Sequence, residues 1–509
     1  MGSEQVEVDV VVVGSGAGAL TGAHLAARAG LRTLVLEKTD RLGGTSAYSG
    51  AAMWLPGTQV QRRADLDDSP EDARTYLRGL LPDTDPARID AFLDSAPELV
   101  ATLEEHQDLT FAWQAFPDYV DAPGRHPRGR SIVPEPLDPV RLGDRVELVR
   151  PPVHRDRDGR GHPDTPLDGG RALIGRLLLA AEDAGAEIRT GAAVSRLRTD
   201  AGGRVVGVEA TTSDGVLSVT AHRGVLLAAG GYENDAAWRE RTGVRGHADW
   251  TMAPEGANTG DLLQAAVDIG AATDLLGEGW FCPALQHADG RVAFLLGVRG
   301  GIFVDAEGRR FGNECRPYDQ MGRVLADDPD RRVPCWFVFD AREGGGLPAI
   351  TVPTARPDAQ IEAGHWHRAD RLDELAGKIG VPGDALLDTV EGFNAAARAG
   401  RDEAFSRGED PYDRFFAPPT DEVPNPCLLP IEQGPFTAAR IVLGDLGTKG
   451  GLVTDPDARV LRDDGTAVPG LFATSNTVAS LSGAVYPGPG IPLGTSMVGA
   501  FRAVRALSG

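Results

Sequence analysis

Residues 6–38 read VEVDVVVVGSGAGALTGAHLAARAGLRTLVLEK, and this stretch decides the fold. The β-branched run at 8–13 predicts a buried strand. The Ala-rich segment 20–29 predicts a helix that Gly30 ends. Residues 31–37 predict a second strand. Strand, helix and strand in this order predict a βαβ unit of a Rossmann-like, mainly parallel sheet.

The turn between the first strand and the helix carries the pattern GxGxxA. Its residues are Gly14, Ser15, Gly16, Ala17, Gly18 and Ala19. Gly14 permits a tight turn, Gly16 lets the backbone approach a pyrophosphate, and Ala19 lets the helix pack closely on the strand. Glu37 follows Gly14 by 23 positions, near the spacing of about 20 at which a carboxylate accepts hydrogen bonds from ribose hydroxyls. With phosphate bound at the helix N-terminus, the sequence predicts a dinucleotide site.

A second glycine loop follows Glu37 and Lys38, and it favours FAD over NAD. Its residues are Gly43, Gly44, Thr45 and Ser46. The glycines would bring main-chain donors to the pyrophosphate or the flavin, and the hydroxyls could serve the same groups. A cofactor that ends at nicotinamide has no need of this loop. The alternative interpretation is that Thr45 or Ser46 caps a helix.

The length of 509 residues exceeds the single-core limit of roughly 250–300, so more than one domain is expected. We predict an α/β protein (α+β overall). A Rossmann-like FAD-binding domain would comprise 1–278 and 440–509, and an inserted α+β catalytic or substrate domain would comprise 279–439. Helix is predicted at 173–184 and 494–507. Strands are predicted at 186–189, 194–197, 205–210, 217–221, 223–229 and 471–473. Two stretches dense in Pro, Asp and Arg, 118–168 and 326–370, are predicted to be surface excursions with little regular structure.

The formal net charge of −23 would repel nucleic acid and anionic membranes. No apolar run approaches the 18–20 residues or so that a membrane helix needs, and the acidic N-terminus lacks the basic region of a signal peptide. We expect a cytoplasmic protein without nucleic-acid partners or integral membrane association. The four cysteines are scattered singly, and the histidines lack ligand spacing. No metal site is therefore expected.

From residue 37 the sequence resembles the fumarate reductase/succinate dehydrogenase flavoprotein superfamily. The matching segments are EKTDRLGGTSAYSGAAMWLPG from Glu37, LLAAGGYEND from Leu226, GANTGDLLQAAVDIGA from Gly256, GRRFGNE from Gly308 and PGLFATSNT from Pro469. The resemblance implies FAD as cofactor. The predicted contacts extend to Ser49, Gly50, Ala229, Gly230, Gly231, Asp261, Asn476 and Leu493. Members with covalent flavin attach it through a histidine in the second glycine loop, where this chain has Thr45-Ser46-Ala47, so the FAD is expected to be non-covalent.

Other segments narrow the resemblance to the 3-ketosteroid Δ1-dehydrogenases. Tyr318 stands where fumarate reductases carry an arginine proton shuttle, four residues after Glu314. The segments FPDY (116–119), APGRHPRGRSIVPEP (122–136) and YPGPG (486–490) are similar to that family's. This resemblance implies desaturation of a cyclic ketone, most specifically a 3-ketosteroid, with an unidentified external electron acceptor.

The resemblance implies four catalytic residues. Tyr486 and the Gly490 N–H would polarise the ketone, and Tyr318 would take the α proton with Tyr119 as its hydrogen-bonded neighbour. We expect the phenols to meet over the isoalloxazine ring. Trp54, Phe116 and Phe303 are candidates for an apolar pocket or, more simply, for the core. Ile491 and Pro492 replace smaller residues of that family.

Three alternatives remain open at this point. The first is desaturation of another cyclic ketone, because the tyrosine set serves any ring ketone. The second is fumarate-type reduction, which Tyr318 disfavours. The third is a non-catalytic or electron-carrying flavoprotein.

Overall fold

The computed structural model describes residues 2–417 and 419–509. The strands, in chain order, are β1 (Gly2–Val13), β2 (Thr33–Leu36), β3 (Met53–Trp54), β4 (Phe111–Trp113), β5 (Ser131–Pro134), β6 (Glu187–Arg189), β7 (Ala193–Thr199), β8 (Val205–Thr212), β9 (Gly215–Leu227), β10 (Thr273–Asp274), β11 (Gly279–Gln286), β12 (Val292–Leu296), β13 (Ile302–Val304), β14 (Cys335–Phe339), β15 (Ile350–Val352), β16 (Trp366–Ala369), β17 (Phe436–Thr448), β18 (Gly451–Leu452), β19 (Arg459–Leu461) and β20 (Ala467–Ala473).

The α-helices, in chain order, are α1 (Ala17–Arg28), α2 (Gln59–Arg63), α3 (Pro70–Leu80), α4 (Pro86–Leu103), α5 (Val153–Arg157), α6 (Gly169–Asp183), α7 (Ala236–Thr242), α8 (Asp261–Val267), α9 (Tyr318–Asp327), α10 (Pro329–Arg332), α11 (Pro357–Glu362), α12 (Leu372–Ile379), α13 (Gly383–Ala399), α14 (Pro411–Phe415) and α15 (Ile491–Ser508). In the part of the chain that the structure describes, no helix is long and apolar enough to cross a membrane.

The chain divides into two compact units. The first comprises residues 2–244, 253–279 and 447–509. The second comprises Arg245–Met252 and the described part of Trp280–Leu446. The α/β fold class is confirmed, because the first unit is built on a mainly parallel sheet with helices packed on it.

The large sheet of the first unit contains the predicted βαβ element. Its strand order is β19–β20–β9–β1–β2–β6, and β7 and β8 continue it through β9. Strands β20, β9, β1, β2 and β6 run parallel to one another. Helix α1 links β1 to its neighbour β2, as the glycine turn predicted. The sheet order places β1 in the middle, where a run of buried valines is expected.

Two strands predicted at 217–221 and 223–229 are one continuous strand, β9. Ala221 pairs with Val8 and Gly224 pairs with Val10, so three β9 steps oppose two β1 steps. This bulge absorbs the polar pair at 222–223, which had suggested a break. Gly224 lies at this bulge with a φ of +159°, a backbone conformation that favours glycine.

Helices α1 and α15 pack together on this sheet through small residues. A Cβ on Gly18 would lie 2.2 Å from the Ser496 Oγ, and one on Gly22 would lie 2.6 Å from the Leu226 Cδ2. The surrounding core includes Ala19 and alanines of both helices. Gly18 and Gly22 therefore set how closely α1 approaches its neighbours, a role that the sequence analysis gave to Ala19 alone.

The prediction that residues 118–168 form a surface excursion with little regular structure is wrong. It contains β5, which lies between β3 and β4 in a small antiparallel sheet. Arg130 and Asp118 are fully buried and form an ion pair, and Arg130 also pairs with Asp68 at 2.7 Å. Charged residues that suggested exposure are buried here because they neutralise one another.

The same prediction for residues 326–370 is also wrong, for a related reason. In the second unit, the sheet order is β13–β14–β17–β11–β12–β15, with β16 paired to β17, so this stretch supplies three of its strands. Phe337, Phe339 and Trp366 are buried in it. The prolines and charged residues lie between these short strands. The apolar pattern within each strand is too short to be recognised from sequence.

Candidate active site

The glycine turn after β1 is shaped by the end of β9. Gly14 has a φ of +105°, and a Cβ there would lie 2.3 Å from the Ala228 carbonyl oxygen. Gly16 is the N-cap residue of α1 and provides no side-chain cap. The N–H groups in the first turn of a helix lack carbonyl acceptors within the helix. This helix end is therefore suited to phosphate oxygens.

Ser15 connects the glycine turn to Glu37 and to the second glycine loop. Its Oγ donates to the Glu37 Oε2 at 2.5 Å and accepts from the Gly43 N–H at 3.0 Å. The Thr39 N–H and hydroxyl donate to the Glu37 Oε1 at 2.8 and 2.9 Å. Glu37 is held at the end of β2 with its carboxylate fixed, which is the placement that a ribose-binding acid requires.

The second glycine loop packs against the start of α1. Gly43 has a φ of +111° and precedes a 3-10 helix at Gly44–Tyr48. The Ser46 Oγ accepts a hydrogen bond from the Ala17 N–H at 3.2 Å. Ser46 thus contacts the first N–H of α1 from a distant part of the chain. Its cofactor contact stays a prediction, as does that of Thr45.

Ser49 and Gly50 follow this loop and join it to α6. The Ser49 hydroxyl donates to the Ser46 carbonyl at 2.7 Å, and the Ser49 carbonyl accepts from the Gly170 N–H at 2.8 Å. A Cβ on Gly50 would have open space around it. These contacts fix the loop's exit, whereas contact of either residue with FAD stays a prediction.

Lys38 and Asp261 form an ion pair at 2.8 Å, and Thr259 donates to the same carboxylate at 2.8 Å. Both charged side chains are more than one-third exposed. Asp261 begins α8, beside Gly260 in the left-handed conformation. The pair brings two predicted cofactor residues together, and their contact with FAD stays a prediction.

The strand end at Ala229–Gly231 is tied to the C-terminal segment. Thr477 accepts from the Ala229 N–H at 2.9 Å and donates to the Gly230 carbonyl at 3.0 Å. A Cβ on Gly231 would lie 2.0 Å from the Thr448 Oγ1. Thr477 was missed as an individual residue, although the motif that contains it was recognised.

Glu233 and Asn258 are further members of this region that the sequence analysis missed. The fully buried Glu233 carboxylate accepts from the Asn258 amide at 2.5 Å and from the Thr448 hydroxyl at 3.3 Å. Asn258 also donates to Thr45 at 3.3 Å. Asn258 has a positive φ of 53° and lies in the recognised GANTGD segment, which did not indicate a role for this residue.

Arg150 was missed because it lies in the stretch taken for a surface excursion. It donates to the Thr39 hydroxyl and to Asp156, both at 2.8 Å. Tyr48 donates a short hydrogen bond to the same Asp156. Burial and this bond raise the pKa of Tyr48. Arg150 therefore supports the Glu37 region from behind through Thr39.

Asn476 and Leu493 both lie in the C-terminal segment, Asn476 before α15 and Leu493 within it. Asn476 belongs to a 3-10 helix at Ser475–Thr477, and a Cβ on Gly447 would lie 2.4 Å from its amide nitrogen. Leu493 is in the first turn of α15 and is half-buried. Their FAD contacts stay predictions.

Tyr119 and Tyr486 are brought together. Their ring centroids are 5.1 Å apart with an interplanar angle of 45°. Both side chains are nearly buried, and Phe116 packs edge-on against Tyr119 at 6.0 Å. Two segments more than 360 positions apart in the sequence thus place two phenols side by side.

Backbone hydrogen bonds fix the relation between these two segments. The Tyr119 N–H donates to the Pro487 carbonyl at 2.8 Å, and the buried Tyr76 hydroxyl donates to the same oxygen at 2.7 Å. The Tyr76 oxygen accepts from the Val120 N–H at 3.0 Å. Tyr76 therefore bridges both segments, a role that sequence alone did not indicate.

The buried Asp118 holds the start of this arrangement. It accepts from the Trp54 indole at 2.8 Å and from the His126 N–H at 3.0 Å, in addition to its ion pair with Arg130. Trp54 stacks on Phe92 with ring centroids 6.2 Å apart. Trp54 is thus a core residue here, as the simpler sequence interpretation held.

Gly490 lies where no other residue fits. It has a φ of +85°, and a Cβ would lie 1.9 Å from the Ala52 carbonyl oxygen. It is also the N-cap residue of α15. Its backbone therefore sits at a helix N-terminus in the same loop as Tyr486, where a main-chain donor is favourable for an oxyanion.

Tyr318 begins α9 in the second unit. Its ring packs edge-on against Phe294 with centroids 4.7 Å apart, and the side chain is 8% exposed. The preceding motif forms a buried ion network, in which Glu314 pairs with Arg310 at 2.9 Å and with Arg407 at 3.0 Å. The catalytic role of Tyr318 stays a prediction.

His106, Asp108 and Asp183 offer atoms that lie within 4.8 Å of one another. Arg141 donates to both Asp108 oxygens at 2.7 and 2.8 Å. A guanidinium therefore already neutralises Asp108, and the expectation of no metal site stays a prediction.

Residues 9–493 match the protein family described as FAD binding domain. The turn, the helix end and Glu37 fit the adenosine diphosphate half of FAD. The chain is an FAD-dependent oxidoreductase acting on CH–CH groups.

The relatives narrow this class. A 3-oxosteroid 1-dehydrogenase of Rhodococcus opacus is 42% identical, with 99% of each chain covered. A 4-oxocyclohexanecarboxylate 2-dehydrogenase of Sinomonas cyclohexanicum is 36% identical over all of this chain and 94% of the relative. The crystal structure of 3-ketosteroid Δ1-dehydrogenase from Sterolibacterium denitrificans, in complex with 1,4-androstadiene-3,17-dione, is 32% identical, covers 99% of both chains and has a TM-score of 0.91. The chain belongs to the flavoprotein family that contains the 3-oxosteroid 1-dehydrogenases, as its motifs predicted.

Proposed function

We propose that the protein desaturates the C1–C2 bond of a 3-ketosteroid with FAD as oxidant. The observation that carries this proposal is the buried Tyr119–Tyr486 pair, formed by the two segments whose sequences resemble the ketosteroid enzymes. The full-length similarity to a 3-oxosteroid 1-dehydrogenase supports the same reaction.

The first chemical requirement is to polarise the ketone, since this acidifies the α proton. Tyr486 donates its hydroxyl, and Gly490 its backbone N–H, to the carbonyl oxygen as negative charge develops there. One such donor contributes about 10²–10³ in rate. The left-handed backbone of Gly490 at the start of α15 fixes the second donor.

The second requirement is removal of the α proton. Tyr318 acts as the base, with Tyr119 as its hydrogen-bonding neighbour. A free phenol has a pKa of about 10, so a neighbour that stabilises the phenolate makes the transfer easier near neutral pH. When bound beside these residues, FAD would supply the two-electron, hydride-accepting chemistry that the desaturation requires.

The first unit holds the cofactor in this proposal. Gly16 and Gly43 allow the backbone to approach the pyrophosphate, and Glu37, fixed by Ser15 and Thr39, binds the adenosine ribose. The FAD is non-covalent, because the second glycine loop offers Thr45 and Ser46 where covalent members carry histidine. The inserted region 279–439 acts as the catalytic or substrate domain.

The second candidate function is desaturation of a smaller cyclic ketone. The similarity to a 4-oxocyclohexanecarboxylate dehydrogenase favours it. Ile491 and Pro492 are bulkier than the residues that follow this loop in the resembling steroid enzymes, so they reduce the room beside Gly490.

A substrate panel with an artificial electron acceptor tests the proposal. The kcat/KM would be compared for two ketones with the acceptor, androst-4-ene-3,17-dione and 4-oxocyclohexanecarboxylate. Fumarate would be assayed separately, with reduced viologen as the electron donor. We expect the steroid to be preferred. Turnover of the monocyclic ketone alone would establish the second candidate, and turnover of fumarate alone would contradict both.

A further inference from the structure

Lys449 is a fully buried lysine beside the proposed site. The chain has lysine at three positions among its 51 basic residues, and Lys449 has 0% exposure. It lies between β17 and β18. Burying an ammonium group costs free energy unless its N–H groups are well bonded. A buried ammonium group with this cost is expected to have a specific role.

Two side-chain hydrogen bonds of Lys449 concern the approach to Tyr486. Its Nζ donates to the carbonyl oxygens of Ala484 and Val485, each at 3.0 Å. It also lies 5.9 Å from the centroid of the Tyr486 ring, within the range of a cation–π interaction. The Val485 carbonyl accepts a second bond from Ser482 at 2.8 Å. Lys449 therefore fixes the two peptide units directly before Tyr486.

The far side of the same loop is fixed by neutral groups. The Ser131 hydroxyl donates to the Pro489 carbonyl at 2.6 Å, and the Trp54 N–H donates to the Gly490 carbonyl at 3.2 Å. Tyr76 and Tyr119 hold Pro487. Among these described loop contacts, Lys449 is the one that brings a charge.

We propose that Lys449 is a positioning residue for the oxyanion site. It orients the Tyr486 hydroxyl through the preceding carbonyl groups, and its charge favours the negative charge that develops on the ketone oxygen. A buried charge acts through a low effective dielectric and costs no reorganisation during the reaction. A compact ammonium carries three donors and can bond both adjacent carbonyl oxygens at once. This inference rests on the proposed function and deepens it.

Three substitutions separate charge from hydrogen bonding. Lys449→Arg keeps the charge, Lys449→Gln keeps a donor without charge, and Lys449→Met keeps neither. Lys378→Gln is the matched control, because Lys378 also donates to a backbone carbonyl, that of Arg368 at 2.6 Å. Each FAD-loaded variant is mixed anaerobically with the ring ketone that wild type oxidises best, and the rate of flavin bleaching is measured.

We expect Lys449→Gln to slow bleaching about 10- to 100-fold, while ketone affinity changes by about threefold or less. Lys449→Arg should recover most of the rate, and Lys378→Gln should match wild type. Deuterium at the α carbon should slow Lys449→Gln more than wild type, because enolisation becomes more rate-limiting. In a Tyr486→Phe background, Lys449→Gln should add little, since both changes act through one group.

Three results would overturn the proposal. The first is a Lys449→Gln protein as fast as wild type. The second is additive loss in the Tyr486→Phe background. The third concerns two variants together: Lys449→Gln loses FAD or unfolds, and Lys449→Arg is as stable as wild type but does not recover the rate. This result would show that Lys449 has a purely structural role. Failure of the proposed function is distinct, because wild type itself would then show no bleaching with any ring ketone.

Discussion

At the scale of single residues, the protein places its phenols with backbone bonds rather than with side-chain networks alone. Pro487 accepts from both the Tyr119 N–H and the Tyr76 hydroxyl. The positions of Tyr119 and Tyr486 thus depend on each other. A change that leaves these bonds intact and removes one hydroxyl is a clean test of chemistry.

Replacing Tyr318 by phenylalanine removes the proposed base and keeps the ring that packs on Phe294. We expect kcat for ketone desaturation to fall by about 10²–10⁴, the usual contribution of a general base. FAD content and melting temperature should change little. Steady-state rates, the flavin spectrum and thermal unfolding would be measured together.

Tyr232→Phe is the control for this test. Tyr232 is fully buried, and its hydroxyl donates a short hydrogen bond to the Leu276 carbonyl. It should lose about 1 kcal/mol of stability and keep its activity. Full activity in Tyr318→Phe would contradict the assignment of Tyr318 as the base.

Individual roles were predictable only where a motif fixed them. The spacing from Gly14 identified Glu37, whose carboxylate Ser15 and Thr39 then orient. Tyr76 and Lys449 act on carbonyl groups distant in sequence, and no local pattern encodes such a contact.

At the scale of elements, the loop 484–490 and helix α15 form one functional piece. The loop ends at Gly490, which is both the N-cap of α15 and a close neighbour of the Ala52 backbone. The helix then packs on α1 beside the glycine turn. The proposed oxyanion donors and the cofactor turn are therefore attached to the same pair of helices.

Gly490→Ala should disrupt this piece. The new Cβ would meet the Ala52 carbonyl oxygen at 1.9 Å, and the φ of +85° disfavours any L residue. We expect a loss of about 3 kcal/mol or more in unfolding free energy from strain and overpacking, together with loss of turnover. Chemical denaturation and the kinetic assay would check this.

Gly383→Ala provides the comparison for that substitution. A Cβ there would meet no atom within 4 Å, and Gly383 is the first residue of α13. Its stability should change by less than about 1 kcal/mol. Equal stability of Gly490→Ala and wild type would contradict the close approach to Ala52.

Elements with strong local patterns were predictable, and those made by long-range pairing were not. The βαβ unit of β1, α1 and β2 follows from apolar period and glycine spacing. Strand β14 lies among arginines and prolines, and pairing with β13 and β17 makes it a strand. Such pairing is invisible in a single sequence.

At the scale of the whole molecule, the cysteines are four buried thiols without disulfides among them. Burial raises the pKa of the Cys282 and Cys335 thiols, which lowers the fraction of reactive thiolate. We expect a thiol reagent at neutral pH to modify the native protein slowly and all four cysteines after denaturation. Fast modification of the native protein by the reagent would contradict their burial.

The division into two units was foreseeable from length, since one core does not serve so long a chain. The unit that holds the glycine turn also holds Tyr119, Tyr486 and Lys449, so the proposed oxyanion donors lie in the same unit as the predicted cofactor turn. Tyr318 belongs to the other unit.

The most direct test of the account is a single anaerobic turnover of the FAD-loaded protein with one equivalent of androst-4-ene-3,17-dione. Flavin absorbance and the mass of the steroid would be followed together. The account predicts bleaching of the flavin and a steroid that has lost two hydrogens from C1 and C2. A flavin that stays oxidised beside an unchanged steroid would contradict it.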